Sequence, residues 1–162
     1  MKVDNVTVSN FYLKRLFEEF NSMVMADGIS AKYSWFVYKN CETMAPEYAK
    51  LMNELYDERR EPEFPEIWTA EQELQQKYAD RDEKGELVLN NGIPVYSKHA
   101  DEYNAEFTKL REAHKEFFEK LDKKESVNRE IFSKPVTFAA TMLELSEFPN
   151  NTKPFIVGTL GY

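Results

Sequence analysis

The sequence predicts an α+β fold: a long antiparallel helix pair plus two further helices beside a small, mostly antiparallel sheet. Three observations predict it. Two apolar seams, Val37 to Leu55 and Tyr103 to Leu121, repeat at alternating steps of four and three residues, the spacing that keeps side chains on one helix face. An Asn90-Asn91-Gly92 turn stands between two β-prone runs, a hairpin signal because both central residues accept positive φ. β-prone segments also stand near both ends of the chain.

Taken in order, Lys2 to Val8 carries Val3, Val6, Thr7 and Val8 and reads as a short strand. Ser9 is placed to cap a first helix by accepting a backbone N–H. Leu13, Leu16, Phe17, Phe20, Met23 and Val24 form its apolar stripe, and Asp27-Gly28 ends it. Ser30 caps the second helix, whose seam is Val37, Cys41, Met44, Tyr48, Leu51 and Leu55. Pro46 falls inside that seam, so the helix either restarts near Thr43 or kinks.

Glu61-Pro62-Glu63-Phe64-Pro65 stops the second helix. Thr69 with Gln72 has capping-box spacing and starts a third helix that ends near Tyr78. Leu87-Val88-Leu89 and Ile93-Pro94-Val95-Tyr96 flank the hairpin turn, with Pro94 assigning its strand to an edge. A fourth helix spans about Asp101 to Leu121, and its seam is matched with that of the second helix as the antiparallel pair. Pro135 to Ala140 and Pro154 to Val157 read as strands separated by a loop from Ser146 to Thr152.

Length and composition bound the class. The 162 residues, 42% hydrophobic and 14% aromatic, suit one globular domain spanning 1–162. No apolar run approaches the roughly 18 residues of a membrane helix, and the first residues open no signal-peptide apolar region. One cysteine excludes an internal disulfide and a cysteine-rich zinc site, and no phosphate-cradling glycine motif occurs. The reading therefore expects an intracellular protein without cofactor or membrane.

The net charge of -8 has a single source. Residues 42–86 hold 14 acids and 6 bases, 6 − 14 = -8, and the rest of the chain carries 15 of each. Such a field repels nucleic-acid phosphates. It is either a solvated face or an acidic surface that docks a basic protein, with Glu58, Glu61, Glu63 and Glu66 as its candidates. Tyr33, Trp35, Phe36 and Tyr38 are clustered at helical spacing, a core with a boundary ring, or a contact surface centred on Tyr33 and Trp35.

Motifs for chemistry are weak. Asp80 to Glu86 resembles a calcium loop at its first, third and sixth positions, but Lys84 and Asn91 stand where oxygen ligands belong. The turn reads as a polar link from helix to strand. His99 and His114 are fifteen positions apart, and His114 lies in an apolar seam. Cys41 pairs with His114 only across helices, and nothing adjacent lowers its thiol pKa.

Three stretches together resemble small uncharacterised proteins of tailed bacteriophages. They are Asn10-Phe11 with Leu13 and Leu16 then Gly28-Ile29-Ser30; Lys77 to Glu86; and Glu102 to Phe107 with Leu110, followed by Lys153-Pro154-Phe155-Ile156. In those proteins a basic residue often follows the Gly-x-Ser start within a polar stretch; Lys32 partly matches, and Tyr33 and Trp35 depart from that pattern. The resemblance implies a phage origin and a helical-hairpin α+β fold, and no reaction; with no signal or membrane-spanning segment in the sequence, the host cytoplasm is the expected location. The function expected is a non-enzymatic, acidic protein-binding module, an accessory or host-directed factor. The alternatives are a virion or assembly component, and a small-molecule binder or enzyme.

Overall fold

The computed structural model describes residues 1–23 and 29–161 and is an α+β fold with six α-helices and two two-stranded sheets among those residues. Val24, Asp27 and Gly28, assigned above to the end of the first helix, lie outside the described residues. The chain divides into two compact units, Met1–Tyr56 with Ser126–Tyr162, and Asp57–Glu125.

In the first unit, β1 (Lys2–Ser9) runs antiparallel to β4 (Pro135–Met142) in unbroken register, from Lys2↔Met142 to Ser9↔Pro135. β1 leads directly into α1 (Asn10–Met23), where Ser9 Oγ accepts the Tyr12 N–H at 3.4 Å. Leu13, Leu16 and Phe20, at steps of three and four, are completely buried. α2 (Ala31–Glu54) starts at the expected cap, with Ser30 Oγ accepting the Tyr33 N–H at 3.2 Å.

α1 and α2 are the antiparallel pair. Phe17, early in the contact, stacks on Tyr48 at 4.2 Å, and the later Phe20 meets Phe36 at 5.5 Å. Seam spacing alone matches α2 with the later seam; the short connection after α1 supplies its partner instead. α2 continues through Pro46 with no restart at Thr43, because that proline sits on the exposed side while Met44 and Leu51 anchor the helix.

The C-terminal segment corrects the expected second strand. Pro154–Leu160 is a helix, α6, with Pro154 in its first turn and Ile156 and Leu160 fully buried. Phe155, Ile156 and Val157 are β-prone, but proline at a helix start is pre-organised for it, and burial of one apolar side decides for the helix.

In the second unit, α3 (Phe64–Tyr78) begins at Phe64, with Pro65 in its first turn, rather than at Thr69. Thr69 Oγ1 does not cap; it donates back to the Pro65 carbonyl at 2.8 Å. β2 (Leu89–Asn90) and β3 (Ile93–Pro94) form the expected hairpin. Asn91 (φ 51) and Gly92 (φ 82) both take the left-handed conformation its two-residue turn requires.

The expected fourth helix is two. α4 (Ala100–Ala113) ends at His114 (φ -117, ψ 42), and α5 (Lys115–Ser133) follows. His114 is half-buried, and its Nδ1 stands 3.2 Å from a Glu63 carboxylate oxygen. Ile67, Phe117 and Phe118 make this unit's small core.

Candidate protein-binding site

The structure separates the six residues singled out from sequence. Tyr33 is 3% exposed, stacked on Phe36 and set edge-on to Phe148. It is a core side chain and leaves the candidate surface. Its position one turn into α2, on the same side as Phe36 and Val37, is what buries it. Trp35 faces the opposite way and is 49% exposed, stacked on Tyr38 with Lys39 Nζ 4.8 Å above its ring.

Three of the four glutamates are engaged within their own unit. Glu58 pairs with Lys124, Glu61 with Lys120 at 2.9 Å, and Glu63 with His114. The hydrogen bond from Lys124 holds the Glu58 carboxyl below its ordinary range. These contacts fasten the segment ahead of α3 to α5 and the α4–α5 junction. Glu66 is exposed and has no ion-pair partner among the described residues.

Sequence inspection located the charge but not its structural container. The Asp57–Glu125 unit carries 12 bases and 19 acids, 12 − 19 = -7, and the remaining residues carry 9 − 10 = -1. The imbalance thus belongs to one compact unit.

That unit has a groove of about 400 Å³ between α3 and α4. Ala70 and Leu74 from α3 and Leu110 and Ala113 from α4 make its apolar floor. Glu73, Lys77, Glu106 and Lys109 form the rim, where Glu106 and Lys109 pair at 3.0 Å. Glu66, Ala70, Glu73 and Lys77 follow one another at steps of four, three and four on α3, so Glu66 extends the same stripe by a turn. Sequence reading missed this groove because α3 looked short of apolar residues. The signal was the pairing of alanines with leucines, small next to large, on two neighbouring helices.

The other candidate clusters have structural employment. Asp80 accepts from the Ser97 N–H at 2.9 Å, from the Ser97 hydroxyl and from the Lys98 N–H at 3.3 Å. Asp82 Oδ1 accepts from the Lys84 and Glu86 N–H groups at 2.8 and 2.9 Å. These carboxylates thereby shape the turn before the hairpin. Tyr103 stacks on Tyr96 at 3.9 Å; burial first, then the Tyr96 hydrogen bond and the Glu71 charge, push its hydroxyl up to about 12. Burial pushes the Cys41 thiol up to about 11, the wrong direction for a nucleophile at neutral pH.

No helix among the described residues is long and apolar enough to cross a membrane. No family model, curated protein or solved structure matches the chain.

Proposed function

We propose that the chain is a non-enzymatic protein-binding module whose Asp57–Glu125 unit receives a basic amphipathic segment of a protein partner in the α3–α4 groove. The observation that carries this reading is the groove itself: an apolar floor of alanines and leucines beside Glu66 and Glu73, whose carboxylates lack ion-pair partners among the described residues. An amphipathic helix binds by laying its apolar face into such a groove. Lysines or arginines on its polar face then meet the two carboxylates.

The unit's net charge of 12 − 19 = -7 supports a basic partner, since complementary fields steer encounter and fix register. The same field opposes phosphate backbones, which favours protein over nucleic acid as the partner class. The resemblance to tailed-phage proteins supports an accessory or host-directed role in the host cytoplasm.

The test is calorimetric titration with a synthetic Leu/Lys amphipathic peptide about four helical turns long. Binding is expected with the native chain and at least about tenfold weaker with Leu74→Asp, a loss of roughly 1.4 kcal/mol. That variant adds negative charge while spoiling the floor. Equal or tighter peptide binding by Leu74→Asp would show that charge alone attracts the peptide and would overturn the groove reading.

A further inference from the structure

The β1–β4 sheet has two outer edges, and they are treated differently. On the β4 side, the buried Asn40 side chain of α2 takes both backbone groups of Thr141: Nδ2 donates to its carbonyl at 3.0 Å and Oδ1 accepts its N–H at 3.1 Å. The amide stands in for a neighbouring strand and closes that edge. On the β1 side no further strand pairs among the described residues.

The Asn40 clamp also fixes which β1 groups point outward. Thr141 turns its backbone away from β1, so its register partner Val3 turns away from β4, and alternate residues follow. Three contacts agree with this parity. The Asn10 N–H donates to the Lys134 carbonyl at 2.9 Å, continuing the even-numbered bonded set. The Asn5 N–H, left out of the ladder, takes the Asp4 carboxylate at 2.9 Å. The Thr7 and Thr137 hydroxyls meet at 2.7 Å, as side chains do across a non-bonded pair. Val3 and Thr7 therefore turn N–H and C=O groups to an open edge, Asn5 turns its C=O there while Asp4 holds its N–H, and Val3 is 71% exposed.

We propose that a second copy of this chain adds across that edge, β1 against β1 and antiparallel, giving a four-stranded β4-β1-β1-β4 sheet about a two-fold axis. Charge order selects this occupant. Outward residues must face outward residues, so the candidate registers centre on Val3, Asp4 or Asn5 near the exposed end. With Val3 opposite Val3, Lys2 of each copy lies opposite Asp4 of the other, so the Lys2–Asp4 pair made within one chain at 3.8 Å is exchanged for two symmetric pairs across the axis. A centre at Asp4 places two aspartates face to face. A centre at Asn5 sets both charges against Val6 and Val8. Only the first register matches the sequence to itself. This pairing is independent of the groove in the other unit.

The test is sedimentation velocity on the full chain from about 10 μM to 1 mM, the range where weak association shows. The native chain is expected to move with concentration toward twice its 19.1 kDa mass. Lys2→Asp and Asp4→Lys singly should weaken association at least about tenfold, and the double exchange should restore it. Val3→Pro removes an outward donor that β4 does not use, so association should vanish with the circular dichroism spectrum unchanged. Should Val3→Pro alter the spectrum, the charge exchange decides alone. A native chain monomeric throughout, or a dimer indifferent to the single reversals, would overturn the proposal.

Discussion

Asn40 holds Thr141 with both ends of its amide, at 3.0 and 3.1 Å, and Nδ2 also reaches the Phe36 carbonyl at 3.0 Å. A fully buried polar side chain inside the α2 apolar face is tolerable because each of its groups is satisfied. Asn40→Ala leaves the Thr141 N–H and carbonyl buried and without that partner. The expected loss is about 2–4 kcal/mol in urea unfolding, on the scale of two stranded polar groups. A loss below about 1 kcal/mol would mean water replaces the amide.

The acidic residues divide by employment, and charge reversal separates them. Glu58→Lys breaks the Lys124 pair and sets two cations together, so its cost should reach about 1 kcal/mol. Glu66→Lys touches no ion pair and should stay within about 0.5 kcal/mol. Thermal unfolding of both variants checks this. Equal effects would mean the Glu58–Lys124 contact does not fasten α5.

Asp80 gives the second unit an acid sensitivity. The Ser97 hydrogen bond, then the Lys98 and Ser97 N–H groups, hold its pKa below the ordinary 3.8. A depressed carboxyl stabilises the fold above its unfolded value, and that contribution disappears as pH falls through the folded one. Asp80→Asn should therefore lower stability at pH 7 and show a flatter stability profile below about pH 3.8. Parallel acid profiles for the two proteins would contradict the assignment.

Cys41 is half-buried on α2, and burial lifts its thiol to about 11. At pH 8 its thiolate fraction is then about 100-fold below that of an ordinary cysteine. Iodoacetamide labelling should be correspondingly slow and should accelerate toward pH 11. Labelling at the rate of free cysteine would show that the thiol is not sheltered.

Local rules were legible where a single short-range cause dominates. The Ser9 and Ser30 caps, the Asn91-Gly92 turn and β1 each follow from a few adjacent residues. Errors arose where packing chooses between local options. Phe155-Ile156-Val157 satisfies both strand and helix, and only burial of Ile156 and Leu160 selects α6. Tyr33 and Trp35 are two positions apart, so periodicity sends them to opposite sides without saying which side is core. The acidic glutamates were visible as charge, but their lysine partners lie more than fifty residues away in sequence. The groove needed two helices to be side by side before its floor existed.

The groove is tested most directly by mapping amide shifts in an NMR titration with the Leu/Lys peptide, repeated from about 0.05 to 0.3 M salt. The account predicts perturbations concentrated at Ala70, Leu74, Leu110 and Ala113. Affinity should fall as salt rises, and Glu66→Lys with Glu73→Lys should remove most of that salt dependence. Perturbations scattered over the surface, or centred on Trp35 and Tyr38 with the α3–α4 groove unmoved, would contradict it.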